Sequence, residues 1–229
     1  MTVRALAYLF NKPTSAGTFV GSTGRRVEPL SGGVPAYRAD LLTVSLVAGT
    51  GAVWWLVCSL WLRSLRVGLL LTWVGLGVFV VASTELLSLA SLIGAPALVA
   101  TWFCALAMGG WVLTRTWTGW TLLRPISRNA RWLVLPGILL AVPLVVSVAA
   151  APNNWDSMTY HLPRVAHWQA QGSVTFYATS IDRQLWMAPL SEFAAMHLMT
   201  LSGGDVLANL VQWAALGLTA VAASVLAQR

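Results

Sequence analysis

The densest group of chemically capable side chains lies in Asn153–Trp168, which brings together Asp156, Tyr160, His161, Arg164 and His167. A carboxylate can take the proton from a reacting hydroxyl, and a guanidinium can hold a phosphate by two parallel hydrogen bonds. On an unbroken helix, steps of four, eight and eleven residues put Tyr160, Arg164 and His167 within about 80° of Asp156 around the axis. Pro163 suits a helix that begins near it, which would leave Asp156 ahead of the N-terminus. In either arrangement a carboxylate, a phenol, an imidazole and a guanidinium converge where the chain leaves an apolar run. Arg183, Gln184, Glu192 and His197 follow. Each residue taken singly is better explained by a place at a bilayer surface, where Trp and Tyr belts are ordinary. The succession of unlike hydrogen-bonding types is what points to chemistry.

The elements that must position these groups are set by composition. Of 229 residues, 57% are apolar and only 9% charged, and there are 13 Trp. A soluble domain carries roughly a quarter charged residues, so the chain reads as an integral membrane protein. Disorder and a disulfide scaffold are excluded by the same figures. The net charge of +7 comes from 13 Arg and one Lys against seven acids, all lying between or beside long apolar runs. No basic stripe with interleaved aromatics remains outside them, so membrane lipid is the expected partner and nucleic acid is not. Cys58 and Cys104 sit within apolar runs and read as small core residues rather than metal ligands or a disulfide. No cofactor is expected, and the sequence leaves a divalent metal open.

A span needs about 20 apolar residues. The expected fold is an all-α, polytopic transmembrane bundle of about six spans, with one external loop containing short helices. Residues 1–40 form a polar N-terminal tail, and 41–150 hold four spans: Leu41–Leu62, a hairpin of 67–84 and 97–114, and Trp132–Ala150. Residues 151–186 form the loop, and 187–229 hold two more spans. The first of these, Leu185–Leu201, reads from its residues as either a short span or an interface helix, starting near Pro189 and ending at Ser202–Gly204. It carries Glu192, expected to serve the site or helix packing because an ionisable residue in a span is costly, and His197, expected to be a packed hydrogen-bonding residue. Glu85 reads as an interfacial carboxylate at a helix end. Arg63 and Arg66, with Arg115, Arg124, Arg128 and Arg131, favour a cytoplasmic side opposite the loop, while the basic residues of the tail pull the other way.

The run Trp155-Asp156, Tyr160, Arg164, Trp168, Gly172-Ser173, Tyr177, Arg183-Gln184, Pro189-Leu190 and Gly203-Gly204-Asp205 resembles the first external loop of GT-C membrane glycosyltransferases. The likeness is to the protein mannosyltransferase and aminoarabinose transferase superfamily, with its Rgt-like bacterial members, and it covers roughly residues 132–228. It implies a sugar donor linked to polyprenyl phosphate and transfer at the outer face of a bacterial inner (plasma) membrane. It further implies that Asp156 is the base for the acceptor hydroxyl and that Arg183, or alternatively Arg164, holds the lipid phosphate. Tyr160, His161, Gln184 and Glu192 complete the expected substrate site. It also favours Leu185–Leu201 as a span, and an N-terminal portion of a longer enzyme. The alternative is a non-catalytic helper that binds a lipid phosphate, with a transporter as a weaker third reading.

Overall fold

The computed structural model describes residues 41–117 and 134–227. The polar tail and Arg124, Arg128 and Arg131 lie outside the described residues. Every regular element among the described residues is helical: α1 (Leu41–Leu62), α2 (Leu65–Leu89), α3 (Ala95–Thr116), α4 (Val134–Ala149), a π-helical turn at Ser157–His161, α5 (Leu162–Gln171), α6 (Arg183–Trp186), α7 (Leu190–Ser202), a 3₁₀ turn at Val206–Asn209 and α8 (Leu210–Leu226). Among the described residues, four helices are long and apolar enough to cross a bilayer: Thr43–Leu62, Leu65–Leu89, Ala95–Thr116 and Val206–Leu226. At 1.5 Å per residue, about 20 residues cover the roughly 30 Å of hydrocarbon. Backbone groups find no water there, which is why these segments are helices.

The first three helices pack as an antiparallel group. Ser64 caps α2, its hydroxyl accepting from Val67 N at 3.4 Å. Gly68 lets α2 approach α1 closely, since a Cβ there would stand 2.6 Å from Ser59 Cα. Small residues at such crossings are how helices associate in lipid. Gly94 caps α3, and Pro96 occupies its first turn, where the missing N–H costs nothing.

Contacts between distant segments fix which ends lie together. The α2–α3 turn meets the loop, with Ile93 N donating to Gly172 O at 3.0 Å and Val174 N donating to Ser88 Oγ at 2.9 Å. Asn209 Nδ2 donates to Ala150 O at 2.9 Å, so α8 begins at that same end. Arg66 Nη1 reaches Ser224 O at 3.3 Å, so α8 finishes at the end occupied by the α1–α2 turn. Arg63, Arg66 and Arg115 are therefore at the end opposite the loop.

This geometry corrects the reading of Leu185–Leu201 as one continuous span. Met187 is extended, with φ −66° and ψ 141°, and Pro189 stands at the N-terminus of α7, so the segment divides into α6 and α7. At 13 residues, α7 is about 20 Å long, too short to cross. Its middle meets α2 and α3 through His197, and its Leu201 carbonyl accepts from the Thr43 hydroxyl near the start of α1. Both ends of α7 thus stay at the loop end of the bundle. The core forms around it: Phe193, Met196 and Leu201 pack with Leu98, Trp102, Val165 and Trp168.

Candidate functional site

The stretch after Asp156 is helical, but not with a single period. Leu162 N donates to Ser157 O, an i to i−5 bond that inserts one residue into the helix. Such π turns are frequent at functional sites. Asp156 is itself right-handed helical, with φ −63° and ψ −46°, so it belongs to the helical run and does not precede it. Pro163 has no N–H to offer Thr159 O, its i−4 acceptor. Gln184 Nε2 takes that carbonyl at 2.8 Å, while Gln184 Oε1 accepts from Tyr177 and Thr179, each at 3.0 Å. Gln184, expected among the substrate ligands, thus ties the two halves of the loop together.

That tie brings Arg183 beside Tyr160, its guanidinium carbon 5.7 Å from the ring centroid. Burial pushes the Tyr160 phenol pKa up; the charge of Asp156 and hydrogen bonding to it push the same way, and Arg183 opposes them. Asp156 remains exposed. One face of the loop therefore brings an exposed carboxylate and an exposed guanidinium within electrostatic reach of the same buried phenol.

Beneath this face lies a second group of charges. Glu192, only 2% exposed, accepts from His161 Nδ1 at 2.8 Å and from Ser191 Oγ at 2.8 Å. Arg164 is 7% exposed, and its Nη1 stands 3.5 Å from the same Glu192 oxygen and donates to Met187 O at 2.7 Å. With donors on every side Glu192 acts as an acceptor, so His161 carries its proton on Nδ1 and leaves Nε2 for another partner. His161 packs on Tyr160 with ring centroids 4.3 Å apart, joining the two groups. The Arg164 guanidinium lies over Trp168 at 4.6 Å, and its Nε is buried without a partner. His167 stacks on Tyr177 at 4.1 Å instead of facing Asp156.

His197 is tied deeper in the bundle. Trp102 Nε1 donates to His197 Nδ1 at 3.1 Å, so the ring is neutral with its proton on Nε2, which meets Thr84 Oγ1 at 2.9 Å. Its role is to hold α7 between α2 and α3. Glu85, read from the sequence as a helix-end carboxylate, lines a cleft of about 390 Å³ together with Arg164, Tyr177 and Gln184. The position of Glu85 four residues before the end of α2 was the only sequence signal for this, and it carries no information about the loop that folds over it.

Comparison with protein family models, with curated proteins and with solved structures finds no match. Among the described residues the fold is all-helical, with four helices able to span a membrane.

Proposed function

We propose that the protein is a GT-C-type glycosyltransferase that uses a sugar linked to polyprenyl phosphate, with the loop on the external side of a bacterial plasma membrane. The observation that carries this reading is the meeting of Asp156, Tyr160 and Arg183 on one face of the loop. Asp156 takes the proton of the acceptor hydroxyl as its oxygen bonds the sugar and the bond to the lipid phosphate breaks. The proton must leave at that moment because a neutral hydroxyl is a poor nucleophile. Arg183, exposed beside the phenol, holds the departing phosphate. Arg164 is less suited to that task, since Glu192 already meets its charge. The Arg-bearing end faces the cytoplasm, with α1 to α4 and α8 as crossings and α7 seated inside the loop end in place of a sixth.

The test is transfer from a polyprenyl-phosphate sugar in membranes carrying the full reading frame. Asp156→Asn keeps the side chain's size, and its rate is expected to fall by roughly two to four orders of magnitude with donor binding unchanged. Arg183→Ala should weaken donor binding by about 1.5–3 kcal/mol. Full turnover in the Asn variant overturns Asp156 as base. Donor binding that depends on Arg183, with no transfer in the parent, favours the helper reading, which the exposure of Arg183 also supports.

A further inference from the structure

The cleft between α2 and the loop is not lined by Asp156, Tyr160, His161 or Arg183. Its volume of about 390 Å³ falls in the roughly 300–1,000 Å³ range of small-molecule sites. Two charged residues line it. Arg164 contributes little net charge, because Glu192 lies 3.5 Å from its Nη1, but its side chain lines the cleft and keeps 7% of its surface exposed. A guanidinium has five N–H donors and no acceptor, so an exposed edge of it can donate to a ligand oxygen. Glu85 is exposed to the cleft and pairs with no cation among the described residues. Aromatic side chains stand at the rim, with Phe176 83% and Trp186 69% exposed. A carboxylate beside aromatic faces attracts an ammonium ion, which the rings bind through their electron-rich faces.

We propose that this cleft binds an organic ammonium ion bearing a nearby oxygen acceptor, with the ammonium held by Glu85 against Phe176 and Trp186 and the oxygen taken by Arg164. The chemistry is that of phosphoethanolamine, whether free in solution or as a phospholipid head group. An isolated anion suits the cleft poorly, because Glu85 repels it and the charge of Arg164 is already met. The site goes beyond the transfer reaction and does not rest on it.

The experiment is calorimetric titration of the full chain in nonionic detergent with O-phosphoethanolamine, ethanolamine or inorganic phosphate. O-phosphoethanolamine is expected to bind saturably and more tightly than either fragment. Glu85→Gln, at an exposed position, should weaken it at least tenfold, while Asp156→Asn leaves it intact. Repeating the titration in nanodiscs separates the sources. Loss of the signal in phosphatidylethanolamine but not phosphatidylglycerol discs assigns the site to the lipid head group, and retention in both assigns it to the free compound. Equal affinity in the parent and Glu85→Gln, tighter binding of inorganic phosphate, or no saturable binding by O-phosphoethanolamine overturns the proposal. Activity of Asp156→Asn in transfer reports separately on the catalytic reading.

Discussion

Arg164 and Glu192 give the sharpest test of how the loop is held on the bundle. Their charged atoms are 3.5 Å apart and both side chains are buried. At an effective dielectric constant of about 20, that separation is worth roughly 4–5 kcal/mol of attraction, much of it offset by desolvation. Glu192→Leu removes the acceptor for His161 and Ser191 as well as the countercharge of Arg164. Its expected cost is about 3–5 kcal/mol, as for a broken buried pair. Arg164→Leu should cost less, about 1–3 kcal/mol, because Glu192 loses its countercharge but keeps two donors, and the Met187 carbonyl loses one. In the double variant no charge is stranded, so its cost should fall below the sum of the singles by at least about 1 kcal/mol. The assay is reversible unfolding of the full chain in detergent, followed by circular dichroism. Additivity within about 0.5 kcal/mol would refute the coupling, and with it the claim that this pair anchors α7 to α5.

Other perturbations follow from single contacts. His197→Phe leaves Trp102 Nε1 and Thr84 Oγ1 without their partner; a loss of about 2–4 kcal/mol is expected by the same unfolding assay, with Thr84→Val costing nearer 1 kcal/mol. Gly172→Ala combines a positive φ of 69° with a Cβ only 2.9 Å from Ser91 O, so proteolysis of the loop should accelerate as its hold on the α2–α3 turn weakens. Tyr160 binds its proton more tightly in the folded chain than in the unfolded one, so stability should fall as pH rises from the ordinary phenol value of 10.0 through the higher folded pKa. Asp156→Asn removes one cause of that elevation and should move the phenolate absorbance transition to lower pH.

The parts of the site that the sequence makes legible are those set by local spacing. Asp156 and Tyr160, four residues apart, remain neighbours because the helix continues through both. The π turn then shifts the register, which is why His167 leaves the face on which a uniform period puts it. Pro163 foretold the disturbance but not its form. The exposed Thr159 carbonyl is the residue-level consequence, and Gln184 finds it from 25 positions away. The pairing of His161 with Glu192, 31 positions apart, depends on α7 turning back under the loop. Nothing local encodes that turn beyond the break at Met187 and Pro189.

The same distinction explains why α7 resembled a membrane span. A helix enclosed by other helices and a helix enclosed by lipid tails both meet apolar surroundings, so both are written in apolar residues; length separates them, since runs of about 10–14 residues belong more often to buried core helices. The polar residues of α7 then acquire a different meaning. In a lipid-facing helix Glu192 and His197 would be costly, whereas here each is buried against partners from two other segments, Glu192 against His161 and Arg164 and His197 against Thr84 and Trp102. Glu85 is the reverse case. It occupies a helix long enough to cross the membrane, four residues from its end, and is free of such partners among the described residues. A carboxylate left open to a cleft, beside a guanidinium whose charge is already met, is a feature that helix packing alone does not require.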